Sequence, residues 1–244
     1  MGMNKEWFGE WFDSPYYHIL YKNRDYAEAR RFIDHLTNYL QPPKGARVMD
    51  LACGKGRHSI YLNEKGLDVT GLDLSAENIK AAKEHSNESL HFFEHDMRQV
   101  FAEKEFDYVF NLFTSFGYFD SQEEHLQAIQ AVATALKPKG YFLLDFLNPY
   151  RVIHNLIPQE TKRLDGIDFH INKGYVEGYI LKDIEFRDGG KAYHFREKVK
   201  AIRHREFASW FEASGLELIT CFGDYQLNAY ERNSSDRMIF LTRK

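Results

Sequence analysis

The chain has 244 residues, a formal net charge of −4, 43% hydrophobic residues and 28% charged residues. This balance is typical of a globular protein with one large core, and the weakly acidic charge favours neither nucleic acid nor an anionic membrane as a partner. Two cysteines exclude a disulfide framework, and the 11 histidines show no spacing typical of a metal site. No apolar run approaches the roughly 20 residues that cross a bilayer. We therefore expect a cytoplasmic protein with no metal site.

The N-terminal part combines an aromatic segment with a helix. Aromatic residues crowd positions 7–21, and apolar residues then recur at helical spacing over 25–40 until Pro42 and Pro43 end the pattern. We expect residues 1–40 to form a lid and a helix.

From residue 47 to residue 147, predicted strands alternate with predicted helices. The predicted strands are 47–51, 67–73, 90–94, 106–113 and 141–147. The predicted helices are 56–65, 76–85 with Ser75 as its N-cap, and 122–136 with a capping box at Ser121. Strands that alternate with helices imply a doubly wound parallel sheet, which binds ligands at the carboxyl ends of its strands.

After Pro149 the pattern changes to strand period. Alternation over about 167–203, with a hairpin signal at 187–190, predicts an antiparallel β extension inserted after the fifth strand. A helix over 204–214 and strands over 216–225 and 236–243 then return to the main sheet. We therefore predict the α/β class, with a doubly wound Rossmann-like seven-stranded sheet and residues 1–244 as a single domain.

A turn of small residues follows the first predicted strand. Small residues let a ligand approach the backbone, and the next helix points its N-terminal amides at that ligand. A tight strand-to-helix connection alone would give the same pattern. The candidate ligand-binding residues in and before this turn are Asp50, Ala52, Cys53, Gly54 and Gly56.

Acidic residues follow the next two strands. Asp73 stands about 20 residues past the glycines, where a carboxylate can accept both hydroxyls of a ribose, and Leu74 follows it. Asp96 follows the third strand, where it can accept a hydrogen bond from an adenine amino group while apolar neighbours such as Met97 sandwich the ring. The alternatives are a helix-start carboxylate at Asp73 and a turn residue at Asp96.

Five blocks in this order resemble class I methyltransferases that use S-adenosylmethionine (SAM). They are Asp-Leu-Ala-Cys-Gly-Lys-Gly-Arg, Gly-Leu-Asp-Leu-Ser, Asp-Met, Phe-Asp-Tyr-Val and Leu-Lys-Pro-Lys-Gly-Tyr, within residues 15–150. The resemblance implies SAM as the cofactor and the seven-stranded methyltransferase sheet. The fourth strand would then end beside the reactive sulfur, where Asn111 and Leu112 can contact the methionine part of SAM.

Within that superfamily, Tyr-His-Ile-Leu-Tyr-Lys-Asn-Arg at 17–24 and Leu-Ala-Cys-Gly resemble amino-sugar and glycine/sarcosine-type N-methyltransferases. This resemblance implies that Tyr17 and Arg24 reach the methionine carboxylate of SAM, although packing explains Tyr17 equally well. Ala52 stands where most of these enzymes have glycine. Its backbone can keep the contact with the methionine part if its φ is negative.

The expected reaction is methyl transfer to a small-molecule acceptor, an amine on the strength of the resemblance. The catalytic residues stay unassigned, and Tyr118 and Asn148 are candidates because they lie near the carboxyl ends of strands. Alternatives are an O-methyltransferase, a non-catalytic SAM-binding module and a nucleotide-dependent oxidoreductase, although the third glycine typical of the oxidoreductases is missing. The oligomeric state is open, and a homodimer is compatible with the sequence.

Overall fold

A computed structural model of the chain describes residues 7–21, 26–112 and 115–244. The helices are α1 Trp7–Phe12, α2 Pro15–Leu20, α3 Tyr26–Leu40, α4 Arg57–Glu64, α5 Ala76–Ala82, α6 Gln122–Ala135, α7 Pro149–His154 and α8 His204–Ala213, with a 3₁₀ turn at Lys83–His85. The strands are β1 Arg47–Leu51, β2 Asp68–Asp73, β3 Leu90–Glu94, β4 Phe106–Asn111, β5 Leu136–Leu147, β6 Gln159–Leu164, β7 Ile167–Val176, β8 Tyr179–Asp188, β9 Lys191–Lys200, β10 Glu217–Phe222 and β11 Arg237–Arg243.

The main sheet among the described residues has seven strands in the order β10-β11-β5-β4-β1-β2-β3. The neighbours from β5 to β3 are parallel, while β11 runs antiparallel to both β5 and β10. The chain leaves β3 at the edge and returns to β4 beside β1, so the strand order reverses between β1 and β4. Open α/β sheets bind ligands at such a reversal. The predicted doubly wound sheet is confirmed.

Helices cover both faces of this sheet. One apolar cluster joins it to α3–α5 through residues such as Ile33, Leu62 and Ile79. A second cluster joins the opposite face to α6 and α8 through residues such as Ile129 and Phe207. The sheet is therefore buried on both sides, which leaves the ends of the strands as the place for a site.

A second sheet of four antiparallel strands, β6-β7-β8-β9, is inserted after β5 and α7. Its inner face is apolar, and α1 and α2 cover it with residues such as Trp11 and Leu20. The predicted extension is thus present, but its predicted start at residue 167 is wrong because β6 begins at Gln159. Every side chain of β6 is at least partly exposed, so no apolar alternation marks this strand in the sequence.

The sequence also missed α1, α2 and α7, and it assigned residues 137–140 to a turn. In the structure this stretch is an irregular part of β5, where the register with β4 shifts between Phe106 and Tyr108. The ammonium of Lys137 lies 2.8 Å from a carboxylate oxygen of Asp107 across that irregularity. In the part of the chain that is described, no helix is long and apolar enough to cross a membrane.

Candidate active site

The turn after β1 contains two glycines, and only one of them leaves room for a ligand beside its backbone. Gly54 and Gly56 have φ values of +57° and +83°, which favour glycine. A β-carbon on Gly56 would lie 2.7 Å from Cζ of Phe92. One on Gly54 would have no described atom within 4 Å apart from its chain neighbours. The turn therefore needs glycine at 56 and offers a ligand free approach at Gly54.

Ala52 adopts the left-handed backbone conformation, with a φ of +60°. The expected backbone contact assumed a negative φ, and that premise is wrong. The conformation turns the chain toward β2, where the N–H of the buried Cys53 donates to the carbonyl of Leu72 at 2.9 Å. A left-handed residue other than glycine costs about 1–2 kcal/mol, so the turn carries local strain.

We therefore expect Ala52→Gly to raise the free energy of unfolding by about 0.5–1 kcal/mol, because glycine adopts positive φ without that cost. Ala208→Gly inside α8 is the matched control, and it should lower the same quantity by about 1 kcal/mol. Urea denaturation of both variants measures the two effects. Equal losses in both would show that Ala52 is not strained.

Asp73 ends β2 beside the open glycine. One carboxylate oxygen accepts the N–H of Gly54 at 2.8 Å, and the other accepts the N–H of Ser75 at 2.9 Å. Burial raises the pKa of this carboxyl, although these backbone donors oppose that shift. Each oxygen has further lone pairs, and the side chain of Leu74 stands 44% exposed next to it. Asp73 is thus held rigidly and can still accept hydrogen bonds from a ligand.

Asp96 lies just after β3 and is already paired. Its carboxylate accepts from Nη2 of Arg98 at 2.6 Å and from the backbone N–H of Arg98 at 2.9 Å. The same guanidinium reaches Glu124 at 2.7 Å. Burial alone would raise the pKa of Asp96, but the bonds from Arg98 hold it below its usual range. An adenine amino group would share this carboxylate with Arg98, while Met97 packs on the core.

Asp50 is buried in β1, and Ser59 at the start of α4 donates a hydrogen bond to it at 2.5 Å. Burial raises the pKa of Asp50 to about 6. The folded chain therefore holds a proton that the unfolded chain releases above about pH 4. This group contributes stability below that pH, and the contribution is lost as the pH rises through the folded pKa.

Asp50→Asn removes this dependence while keeping an acceptor for Ser59. Its free energy of unfolding, relative to the parent, should rise by about 2–3 kcal/mol between pH 4 and pH 7. Denaturation of the ligand-free proteins across that range measures the difference. Met49→Leu, the buried and non-titrating neighbour on the same strand, is the control and should keep a constant difference. A constant difference for Asp50→Asn as well would contradict the raised pKa.

Asn111 at the end of β4 carries a buried acceptor. Its amide nitrogen donates to the carbonyl of Leu51 at 2.8 Å, which ties β4 to β1. Its Oδ1 is buried without a hydrogen-bond partner among the described residues. Leu112 follows it and is 3% exposed. Because an unsatisfied buried acceptor is costly, this oxygen is a candidate to accept a hydrogen bond from a ligand.

The aromatic helices α1 and α2 reach this edge of the main sheet. Asp13, between the two helices, accepts a hydrogen bond from Oγ of Ser75 at 2.5 Å. The ring of Phe12 lies 5.4 Å from that of Tyr118 and 5.0 Å from that of Tyr17. We call α1 and α2 together the roof of the site, and Tyr17 lies in this roof. The other predicted carboxylate contact, Arg24, lies outside the described residues.

The second catalytic candidate, Asn148, is fully buried at the N-cap of α7. Its amide nitrogen donates to the carbonyls of Arg232 and Ser235 at 2.8 and 2.7 Å, and its oxygen accepts the N–H of Tyr150. Both the nitrogen and the oxygen of the amide are therefore used in hydrogen bonds to the backbone of the chain. The geometry favours a structural role for Asn148 and leaves Tyr118, at the roof, as the candidate near an acceptor.

Sequence reasoning missed one group at the roof. The carboxylate of Glu197 in β9 accepts hydrogen bonds from Trp11 at 2.7 Å and from Tyr21 at 2.6 Å. No sequence signal marks it, because the partners are more than 170 residues apart.

A family model described as a methyltransferase domain matches residues 48–140, which span the turn, Asp73, Asp96 and Asn111. The glycine/sarcosine N-methyltransferase of Parasynechococcus marenigrum (strain WH8102) is 30% identical over 192 residues, which cover 75% of this chain and 67% of that protein. The chain belongs to the class I SAM-dependent methyltransferases. The resemblance seen in the sequence, and SAM as the cofactor, are thereby confirmed.

Other relatives of this methyltransferase cover different shares of the chain. The dTDP-3-amino-3,4,6-trideoxy-alpha-D-glucopyranose N,N-dimethyltransferase of Streptomyces venezuelae is 26% identical and covers 81% of the chain and 86% of its own length. The YqeM protein of Bacillus subtilis (strain 168) is 33% identical over 133 residues, 52% of the chain, and the chain spans about half (53%) of YqeM. A SAM-dependent methyltransferase structure from Clostridium acetobutylicum ATCC 824 matches 93% of this chain and 95% of its own with a TM-score of 0.78 at 19% identity, which shows the shared fold.

Proposed function

We propose that this methyltransferase transfers a methyl group to the nitrogen of a small-molecule amine. The observation that carries the proposal is the aromatic roof, because α1 and α2 lie over the edge where Asp73 and Asn111 end their strands. The bond between Asp13 and Ser75 fixes the roof to that edge. A roofed pocket suits a compact acceptor and excludes a nucleic-acid duplex. The N-methyltransferases among the relatives support a nitrogen acceptor.

The residues at the edge fit SAM. Asp73 offers acceptors for the ribose hydroxyls, and Gly54 leaves room for close approach to the backbone. The unpartnered Oδ1 of Asn111 fits a donor such as the ammonium of the methionine part. We place Tyr17 and Arg24 at the methionine carboxylate. When bound, SAM supplies a methyl group on a positively charged sulfur, so its activation does not depend on the protein.

The remaining work of the chain is to position a neutral amine in line with that methyl group and to exclude water. An amine needs only to lose its proton before it attacks, whereas a hydroxyl usually needs a base. His58, which is buried at the start of α4, is a poor base because burial lowers its pKa to about 3. His58 therefore offers no base for a hydroxyl acceptor, which is consistent with an amine acceptor.

A turnover assay tests this proposal. Purified protein is incubated with SAM and a panel of small amines, each beside the alcohol that carries a hydroxyl in place of the amine. Release of S-adenosylhomocysteine is then measured. We expect release with amines and none with the matched alcohols. Release with alcohols alone would make the chain an O-methyltransferase, and SAM binding without turnover on any acceptor would favour a non-catalytic module.

A further inference from the structure

The border between α2 and the second sheet carries a charged group inside an apolar interface. Glu197 accepts hydrogen bonds from Trp11 and Tyr21, and its second oxygen lies 3.5 Å from Nζ of Lys182. That ammonium also donates to the Tyr21 hydroxyl and lies 4.5 Å from the centre of the Tyr21 ring. Glu197 and Lys182 are only 16% and 15% exposed. We call these four residues the roof cluster.

The roof cluster is linked through β9 to the segment that follows β4. Glu197 shares the inner face of β9 with Val199, two residues on. Val199 approaches Gly117, in the segment between β4 and α6, so closely that a β-carbon on Gly117 would stand 3.1 Å from its Cγ1. The N–H of Lys200 donates to the Gly117 carbonyl at 2.8 Å. The same strand that holds Glu197 is thus fixed to the segment beside the expected position of the reactive sulfur.

Packing alone does not account for these charges. The described remainder of the interface between α1, α2 and the second sheet is apolar and aromatic, apart from the exposed hydrogen bond from the Tyr16 hydroxyl to Asp188 at its edge. Replacing a buried ion pair by apolar residues is often neutral or stabilising. The pair of Glu197 and Lys182 is therefore not needed merely to attach α1 and α2 to the second sheet. A carboxylate, a hydroxyl and the face of an aromatic ring together form the set of groups that binds an alkylammonium. The ammonium of Lys182 occupies that set here.

We propose that Glu197 and Tyr21 form the subsite that recognises the amine of the methyl acceptor, and that Lys182 holds this place until an acceptor displaces it. The inference rests on the proposed function. An amine that arrives as an ammonium finds the partners that now surround Lys182, and it releases its proton to solvent before the neutral nitrogen attacks the methyl group. An alcohol of the same shape brings no charge for Glu197. The subsite therefore selects amines over alcohols. Because Lys182 competes for the same partners, it lowers the apparent affinity of the subsite for an amine.

Substitution of Glu197 and substitution of Lys182 should change amine binding in opposite directions. If the cluster only anchored the roof, both substitutions would weaken that binding. The probes are primary amines from ethylamine to glucosamine and their matched alcohols, measured by thermal shift on protein saturated with S-adenosylhomocysteine. Glu197→Gln should weaken binding of the amine that stabilises the parent most by about tenfold, the loss of one charge-assisted hydrogen bond. Lys182→Met should strengthen the same binding at least about threefold, because its competing ammonium is gone.

Glu185→Gln is the matched control, since Glu185 is exposed on the outer face of β8. It should leave amine binding unchanged. In all variants the dissociation constant of S-adenosylhomocysteine should stay within about twofold of the parent, because the substitutions keep Trp11 and Tyr21, whose rings pack 5.6 and 4.9 Å from that of the predicted cofactor residue Tyr17.

Weaker amine binding in both cluster variants, together with weaker S-adenosylhomocysteine binding, would make the cluster an anchor of the roof and overturn the proposal. So would a panel in which no amine binds better than its alcohol. Because binding is measured without turnover, the proposed function fails separately. Amine-selective binding that depends on Glu197 but gives no methyl transfer would overturn the activity and leave the subsite. Methyl transfer to amines, with amine binding unchanged in Glu197→Gln, would overturn the subsite and leave the proposed activity.

Discussion

Replacement of Asp73 by alanine should weaken SAM binding by about tenfold or more, the largest loss expected from one side chain of the cofactor site. The carboxylate has two roles that alanine removes together. We propose that it accepts the ribose hydroxyls, and it holds the N–H groups of Gly54 and Ser75 at 2.8 and 2.9 Å. Loss of the first role removes charge-assisted hydrogen bonds, and loss of the second loosens the turn that lies against the ligand.

Calorimetry with SAM and with S-adenosylhomocysteine measures this effect. Asp68→Ala is the matched control, since Asp68 begins the same strand at the opposite end and lies 3.8 Å from Arg47 in a half-exposed ion pair. It should bind both ligands as the parent does. Asp73→Asn separates the two roles, because one amide oxygen can still accept a backbone N–H while the charge is lost. Unchanged affinity in Asp73→Ala would remove this residue from the site.

The main sheet could be predicted because its signals are local. Short buried strands alternate with capped helices, and parallel strands joined by helices leave few topologies open. Ser75 caps α5 through the N–H of Asn78, and Ser121 forms the expected capping box with Glu124. These features depend on neighbours within four residues, so the sequence alone reveals them.

The remaining features depend on contacts that the sequence does not display. The strand β6 is held by its backbone pairing with β7 and not by buried side chains. Its side chains therefore show no alternation of apolar and polar residues in the sequence. The left-handed φ of Ala52 follows from the bond between Cys53 and Leu72 in another strand. Glu197 meets Trp11 across 186 positions. The candidate cofactor residues and an N-terminal lid could thus be named from the sequence, whereas the contacts that Glu197 makes with α1 and α2 could not.

The second large effect concerns a buried ion pair behind the site. Asp145 in β5 is fully buried, and its carboxylate accepts from Arg237 of β11 at 2.8 Å and from the Tyr225 hydroxyl at 3.1 Å. The ring of Tyr225 packs 4.5 Å from that of Phe32 in α3. The network thus joins β5, β11 and α3 next to Leu112, with which Asp145, Tyr225 and Phe32 line one cavity.

Arg237→Met should lower the free energy of unfolding by about 3–5 kcal/mol, because it leaves the Asp145 carboxylate buried without its countercharge. Asp145→Leu should cost a similar amount, because it removes the buried carboxylate that pairs with this guanidinium. The double variant should lose much less than the sum, since neither charge then remains to be desolvated. Asp236→Ala is the control, because its ion pair with Arg151 is 78% exposed on the aspartate side and should contribute at most about 1 kcal/mol. Urea denaturation of the four variants measures these values, and additive losses in the double variant would show that the pair does not act as a unit.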